Sequence, residues 1–168
     1  MSGTGGDPTP PVPLVLDLLR HGEAAAAGAG GDAERPLTER GRDTIRAQAQ
    51  RLKREGWRPG RIFASPLPRA LESAAIVLQT AGVALEVEPL PELLPDHEPS
   101  QLLDALAAHG AEHGHVVLVG HQPLLGRLAS RLAGQEPELP TGGLIRIECP
   151  RGASAGAGRI VYVLKPER

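Results

Sequence analysis

The feature that most constrains this chain is a repeated pairing of a short apolar segment with a reactive side chain just after it. Buried strands of α/β enzymes end in the crevice where the chemistry takes place. We therefore predict that these side chains meet at one edge of a sheet. In chain order, the pairs are 14–16 with Arg20, His21 and Gly22, then 61–64 with Ser65 and Arg69, and 116–119 with Gly120 and His121.

Amphipathic segments follow these strands and predict an α/β fold with the order β-α-β-α-β-α-β-α. Thr38 is a suitable N-cap for a helix that runs to about Glu55, and Ser65 with Pro66 suits the start of the next helix. Further helices are predicted over 99–108 and after His121. A strand is expected over 83–87, a proline-rich irregular segment over 88–99, and an edge hairpin over 144–148 and 159–164.

Length and composition limit the possible functions. The chain has 168 residues, enough for one domain over 14–168, and its net charge of -2 offers no basic surface for nucleic acid or an anionic membrane. Residues 1–13 lack the basic and apolar regions of a signal peptide and are expected to be a disordered lead-in. The single cysteine, Cys149, excludes an internal disulfide, and we expect a soluble, cytoplasmic protein without a membrane span.

The reactive residues suit phosphate chemistry. Arg20 and Arg69 can each donate paired, charge-assisted hydrogen bonds to the oxygens of a phosphoryl group. The imidazole of His21 is neutral near pH 7 and can attack phosphorus. The combination of these groups suggests catalysis through a phosphohistidine.

Five motifs carry a resemblance to the histidine phosphatase superfamily, also called phosphoglycerate-mutase-like, and to its short bacterial phosphohistidine phosphatases. They are Arg20-His21-Gly22, Arg35-Pro36-Leu37-Thr38-Glu39-Arg40-Gly41, Ser65-Pro66-Leu67-Pro68-Arg69-Ala70, Leu90-Pro91-Glu92-Leu93 and Gly120-His121-Gln122-Pro123. The resemblance implies a three-layer α/β/α sandwich with a mostly parallel central sheet. It also implies that His21 becomes the phosphohistidine, that His121 with Arg20, Arg69 and Gly22 binds the phosphoryl group, and that no metal or other cofactor is needed.

The resemblance implies a carboxylic acid for phosphate esters, and Glu92 matches its position, with a surface or capping role as the alternative. Glu23 and Asp96 are weaker candidates. Residues 24–27 are alanines where mutases have a serine and soon an asparagine, which argues against mutase activity and for an open pocket. A phosphohistidine-bearing protein is the favoured substrate. The alternatives are a small phosphorylated metabolite such as a sugar phosphate, and a phosphate-binding module without turnover.

Two polar features have no assigned role in this scheme. Asp17 interrupts an apolar strand, and we expect it either to face an edge or to pair with a basic group. His109, His113 and His115 straddle a helix end and a strand start without an accompanying carboxylate or cysteine cluster. We therefore interpret them as a solvated loop and not as a metal site.

The glycine-rich stretch 24–32 is expected to be a mobile loop that borders the pocket.

Overall fold

Six strands form one mixed sheet in the computed structural model, which describes residues 13–167. The order across the sheet is β3-β2-β4-β1-β5-β6; the first four strands run parallel, and β5 and β6 are antiparallel additions at one edge. The strands are β1 (Leu14–Arg20), β2 (Arg61–Ala64), β3 (Val87–Pro89), β4 (Gly114–Gly120), β5 (Leu144–Cys149) and β6 (Arg159–Leu164).

Four α-helices cover the two faces of this sheet, which confirms the predicted three-layer α/β/α sandwich. One layer holds α1 and α2, and the other holds α3 and α4. Side chains alternate along each strand, so β1 sends Leu16 and Leu18 towards α3 and α4 and sends Leu19 towards α1 and α2. The helices are α1 (Glu39–Arg54), α2 (Pro68–Ala81), α3 (Pro99–Ala108) and α4 (Leu124–Ala133).

Several local predictions are confirmed. The hydroxyl of Thr38 accepts the Gly41 amide at 2.9 Å, so Thr38 caps α1, which ends one residue before the predicted limit at Glu55. Residues 99–108 form a helix, and β5 and β6 pair as the predicted edge hairpin. Apart from Pro13, the predicted lead-in lies outside the described residues. A single domain over 14–168 stays a prediction.

Two elements begin later in the chain than predicted. β3 begins at Val87 and not at Val83, because Gly82 turns left-handed at the end of α2 and the Val83 amide bonds back to Leu78. α2 begins at Pro68 with Leu67 as its N-cap, so Ser65 is not the capping residue. The Ser65 hydroxyl accepts the Leu67 amide at 3.3 Å, which leaves its proton free for another partner.

The helices within residues 13–167 are too short or too polar for any of them to cross a bilayer.

Candidate active site

The two predicted histidines meet where β1 and β4 end. These strands are parallel neighbours, with Arg20 in register with Gly120, and the His21 amide donates to the Gly120 carbonyl at 3.1 Å. Each histidine is therefore the first residue after its strand. Their buried rings lie 5.0 Å apart between centroids, tilted by 58°. The sheet thus brings together two residues that are 100 positions apart in the chain.

Two arginines, the buried Arg69 and the half-buried Arg20, belong to the predicted site. Arg69 is in the first turn of α2, directly after β2, and Arg20 is the last residue of β1. After burial, the charges of both guanidinium groups act to lower the pKa of His21. Arg69 donates from Nη1 to the Asp32 carbonyl at 3.0 Å, and Arg20 donates from Nη1 to the Leu139 carbonyl at 2.9 Å.

Three buried nitrogen atoms at this site have no hydrogen-bond partner within residues 13–167: Nε of Arg20, Nε of Arg69 and Nδ1 of His121. Burying a donor without a partner costs about 1–3 kcal/mol, so such groups are rare unless they serve a ligand. In the rest of the described chain, buried side-chain nitrogen or oxygen atoms without a hydrogen-bond partner are limited to the Tyr162 hydroxyl and to His97 Nδ1, which is 3.2 Å from the Asp96 carboxylate. The concentration of unpaired donors next to His21 indicates an anion-binding site.

The His21 ring is held in one tautomer. Its Nδ1 lies 2.7 Å from the Gly22 carbonyl oxygen, which can only accept, so Nδ1 carries the proton and Nε2 keeps its lone pair. Burial, together with the positive charges of Arg69, Arg20 and Arg35, lowers the pKa of His21 to about 4. His21 is therefore neutral near pH 7, with Nε2 available as a nucleophile.

Ser65 orients the second histidine. Its hydroxyl oxygen lies 2.8 Å from His121 Nε2, and because it already accepts the Leu67 amide, its proton is free to be donated to that nitrogen. This assignment places the imidazole proton on Nδ1, the atom without a partner. Burial and the neighbouring His21 and Arg69 lower the pKa of His121 to about 3, so the ring is a neutral hydrogen-bond donor.

The loop between β1 and α1 adds two residues that sequence reasoning did not assign. Arg35 donates from Nε to the Ala25 carbonyl at 2.7 Å and from Nη1 to the Asp32 carboxylate at 3.0 Å. The other carboxylate oxygen of Asp32 is 3.5 Å from Arg69 Nη2. Residues 24–32 were predicted to border the pocket, and the contact of Asp32 with Arg69 brings the end of this stretch beside the predicted site. Arg35 lies in one of the five motifs, which was the available signal; nothing in the sequence singled out Asp32.

Comparison with known proteins agrees with this geometry. The family model described as histidine phosphatase superfamily (branch 1) matches residues 16–94. The phosphohistidine phosphatase SixA of Escherichia coli is 34% identical over 132 residues, which cover 76% of this chain and 80% of that protein. The chain belongs to the histidine phosphatase superfamily. It is a histidine phosphatase of the short bacterial branch that includes SixA.

Two further relatives of this histidine phosphatase span most of its length. An uncharacterized protein of Picosynechococcus is 36% identical over 157 residues, 88% of each chain. A solved structure of the protein histidine phosphatase SixA complexed with tungstate has a TM-score of 0.80 and 28% identity, and covers 90% of this chain and 97% of that one. The phosphoglycerate-mutase-like fold predicted from the motifs is thus confirmed.

Two motif glycines of the histidine phosphatase let α1 approach the active-site loop. A Cβ on Gly22 would lie 2.7 Å from the Gly41 carbonyl oxygen, and one on Gly41 would lie 2.2 Å from the Glu23 carbonyl oxygen. Neither position has room for a side chain. The Gly22 amide donates to Ser73 at 3.0 Å and its carbonyl accepts a hydrogen bond from His21 Nδ1, so the contacts observed for Gly22 position the His21 ring. Direct substrate binding by Gly22 stays a prediction.

The predicted acids of the histidine phosphatase lie in three different settings. Glu92 is half-buried in a short 3-10 helix (Pro91–Leu93) after β3, and its carboxylate has no hydrogen bond or ion pair in the described part of the chain. Glu23 accepts the Thr38 hydroxyl at 3.0 Å, and Asp96 is exposed beside His97. None of these contacts joins a carboxylate to His21 or His121. The role of Glu92 as general acid stays a prediction.

Asp17 pairs with basic groups in the middle of the sheet, which confirms one of its two predicted alternatives. It faces the α1 and α2 layer and is fully buried, where its carboxylate accepts hydrogen bonds from Trp57 at 2.7 Å, from His115 at 2.6 Å, and from Arg146 at 2.7 and 2.9 Å. The prediction of a solvated loop is therefore wrong for His115, which lies in β4. Register explains this, because β4 runs beside β1 and places His115 within reach of Asp17.

Proposed function

We propose that this histidine phosphatase hydrolyses phosphohistidine in proteins through a covalent intermediate on His21. The observation that carries the proposal is that His21 keeps Nε2 free and lies 5.0 Å, between ring centroids, from His121, and that Arg20, Arg69 and His121 each have one buried nitrogen without a partner in residues 13–167. A phosphoryl group has its charge on peripheral oxygens and needs donors around them. The related SixA structure holds tungstate, an oxyanion of similar shape, and this supports the same use of the site here.

In the first step, His21 Nε2 attacks phosphorus and the bond from phosphorus to the substrate nitrogen breaks. The electron pair of that bond returns to the substrate nitrogen. When the other nitrogen of the substrate imidazole already carries a proton, the leaving group departs as neutral imidazole without an added acid. Phosphorylated His21 is a cationic ring, and its Nδ1 proton remains bonded to the Gly22 carbonyl.

In the second step, water attacks the phosphoryl group and the bond to His21 Nε2 breaks. The electron pair returns to Nε2, so His21 regains its neutral form with the proton on Nδ1. The proton of the attacking water leaves with phosphate or passes to solvent. Arg20 and Arg69 bind the phosphoryl oxygens in both steps, and His121 donates to them from Nδ1.

A small phosphate ester is the second candidate substrate, and the position of Glu92 is the observation that favours it. An alkoxide leaving group is strongly basic and needs a general acid. Glu92 follows β3, whose end lies on the same side of the parallel strands as His21 and His121, and its carboxylate is not engaged by another group in residues 13–167. Glu92→Gln should therefore abolish turnover of esters while leaving turnover of phosphohistidine nearly unchanged.

The first test is phosphate release by the wild type and by His21→Ala, measured on a histidine-phosphorylated protein and on a sugar phosphate. His113→Ala is the control, because that histidine is exposed before β4. We expect strong turnover of the phosphoprotein that depends on His21 and survives in the control. A preference for the sugar phosphate would make the protein a metabolite phosphatase, and no turnover of either would favour a binding module.

Trapping tests the covalent step. A rapid quench that avoids acid should leave phosphate on His21, identified by mass spectrometry of the labelled peptide. Labelling that persists in His21→Ala would contradict the proposed nucleophile. Because no proposed step uses a metal ion, a chelator should leave turnover intact, and a loss that a divalent ion restores would contradict this mechanism.

A further inference from the structure

Asp32 lies at the solvent side of the phosphoryl site. Its side chain is 68% exposed, whereas the Arg69 side chain that it contacts is 5% exposed. One carboxylate oxygen is 3.0 Å from Arg35 Nη1 and the other is 3.5 Å from Arg69 Nη2. A substrate that brings its phosphoryl group to Arg69 from this side would place its leaving group beside the Asp32 carboxylate.

The charges around the site fit a dianion. Both histidines are neutral, and the three guanidinium groups of Arg20, Arg35 and Arg69 together with the carboxylate of Asp32 leave a net charge of +2. A phosphoryl dianion neutralises this charge. A further negative group beside Asp32 would then be repelled by its carboxylate. A positive group there would be attracted to the carboxylate.

Neighbouring acidic residues are engaged elsewhere. Glu23 accepts the Thr38 hydroxyl at 3.0 Å, on the α1 side of the loop. Glu34 is in the same short 3-10 helix as Asp32 (Asp32–Glu34), but its carboxylate lies over Gly30, where an added Cβ would be only 1.6 Å from it. Asp32 is thus the carboxylate in this loop that contacts a phosphate-binding arginine.

We propose that Asp32 is a specificity-determining residue that selects phosphoryl groups carried on a cationic nitrogen and disfavours substrates with an extra anionic group. The proposal rests on the proposed function, because it concerns the leaving group of the same phosphoryl site. Specificity here includes a repulsive element against the wrong substrate as well as attraction to the right one. A protonated phosphoimidazole has the favoured charge, and a phosphate ester that also carries a free carboxylate has the disfavoured charge.

The test compares three small phosphates in the wild type, in Asp32→Asn and in the control Glu34→Gln. Phosphoramidate has a protonated nitrogen, whereas glycerol 3-phosphate and 3-phosphoglycerate differ mainly by one carboxylate. The quantities to measure are kcat/KM for phosphoramidate and the inhibition constants of the two esters in the assay of phosphoramidate hydrolysis. Inhibition constants are measurable whether or not the esters are hydrolysed.

In Asp32→Asn we expect kcat/KM for phosphoramidate to fall about tenfold, as expected when one partly screened charge is removed near the reacting group. Inhibition by 3-phosphoglycerate should become about tenfold tighter relative to glycerol 3-phosphate. Glu34→Gln should behave as the wild type. An equal change for all three phosphates would show that Asp32 only positions Arg69, and an unchanged ratio between the two esters would also overturn the proposal.

Failure of the proposed function gives a different result. If the wild type does not hydrolyse phosphoramidate, direct binding of the two esters still reports the charge selection. An Asp32-dependent ratio without turnover would contradict catalysis and keep the specificity role. Turnover with a ratio that Asp32→Asn does not change would keep catalysis and contradict the specificity role.

Discussion

Two buried polar clusters lie on the same sheet and differ in how completely their hydrogen bonds are satisfied. Around Asp17, both carboxylate oxygens are paired, with Trp57, His115 and Arg146 as donors. Around His21, three nitrogen atoms lack a partner within the described chain. The first cluster lies in the middle of β1, and the second lies where β1 ends.

The paired cluster around Asp17 is suited to stabilising the fold, whereas the unpaired nitrogens around His21 are suited to binding a ligand. Burial alone would raise the pKa of Asp17, but hydrogen bonds from His115 and Arg146 outweigh it and lower the pKa overall. The cluster around Asp17 is thus a closed set that holds β1, β4 and β5 together. The cluster around His21 leaves donors unsatisfied in the folded protein, at a cost that binding of an anion can recover.

The largest expected effect is on activity and comes from removing the Arg69 side chain from the cluster around His21. Arg69→Ala should lower kcat/KM by about 10³-fold or more, because a positioned arginine stabilises the transferring phosphoryl group. The melting temperature should stay close to that of the wild type, since Arg69 makes its side-chain bonds only to Asp32 in residues 13–167. Phosphate release and thermal unfolding check this, and a large drop in melting temperature would break the comparison.

Substitution in the cluster around Asp17 should lower the stability of the fold rather than its activity. Arg146→Met leaves the Asp17 carboxylate without its bidentate partner, and we expect a loss of about 3–5 kcal/mol in the free energy of unfolding. Activity per folded molecule should not change. Denaturant titration measures the effect.

Arg159→Met is the matched control for Arg146→Met. It removes an exposed ion pair with Glu148 on the neighbouring strands. That pair should contribute less than about 1 kcal/mol. Equal losses in the two variants would contradict the stabilising role of Asp17.

Ser65 is hydrogen-bonded to His121 in the cluster around His21, and its substitution should have a smaller effect than that of Arg69 or Arg146. Ser65→Ala removes the hydrogen bond that fixes His121, and one such bond contributes about 0.5–1.5 kcal/mol. We therefore expect kcat to fall about tenfold or less. Ser65→Thr retains the hydroxyl and should restore part of the rate. A stability loss without any change in kcat would show that Ser65 acts only in folding.

The smallest effect concerns the titration of His21. Its pKa of about 4 results first from burial and then from the charges of Arg69, Arg20 and Arg35. Arg69→Ala should raise this pKa, because a charge that disfavours the imidazolium is removed, but by less than about one unit, since burial remains. NMR titration of the assigned ring measures it, and a wild-type pKa near the ordinary value of 6.5 would contradict the electrostatic description.

The same shift affects stability in a direction that can be checked. The folded pKa of His21 lies below its unfolded value, so the unfolded chain binds more protons between these two values. Stability should therefore fall as the pH drops from about 6.5 through about 4. A free energy of unfolding that rises over this range would contradict the assignment.

Much of the fold and of the site could be predicted from local pattern. Thr38 was recognised as a cap because its hydroxyl acts on the Gly41 amide three residues away. The β5 and β6 hairpin and the helix over 99–108 were also visible as short-range patterns. The strand 83–87 was misplaced because the amide of Val83 returns to α2, a contact that hydrophobicity does not encode.

The sequence by itself determined the family and the layered α/β architecture, and it predicted Arg20, His21, Arg69 and His121 as site residues, because each is written in a short motif beside a strand. Only the tertiary structure decided how these residues are arranged. Sheet register placed His21 and His121 with 5.0 Å between their ring centroids and paired Asp17 with Arg146, and the loop fold set Asp32 against Arg69. The reason is physical: hydrogen-bond partners, burial and pKa depend on distances between residues that lie far apart in the chain.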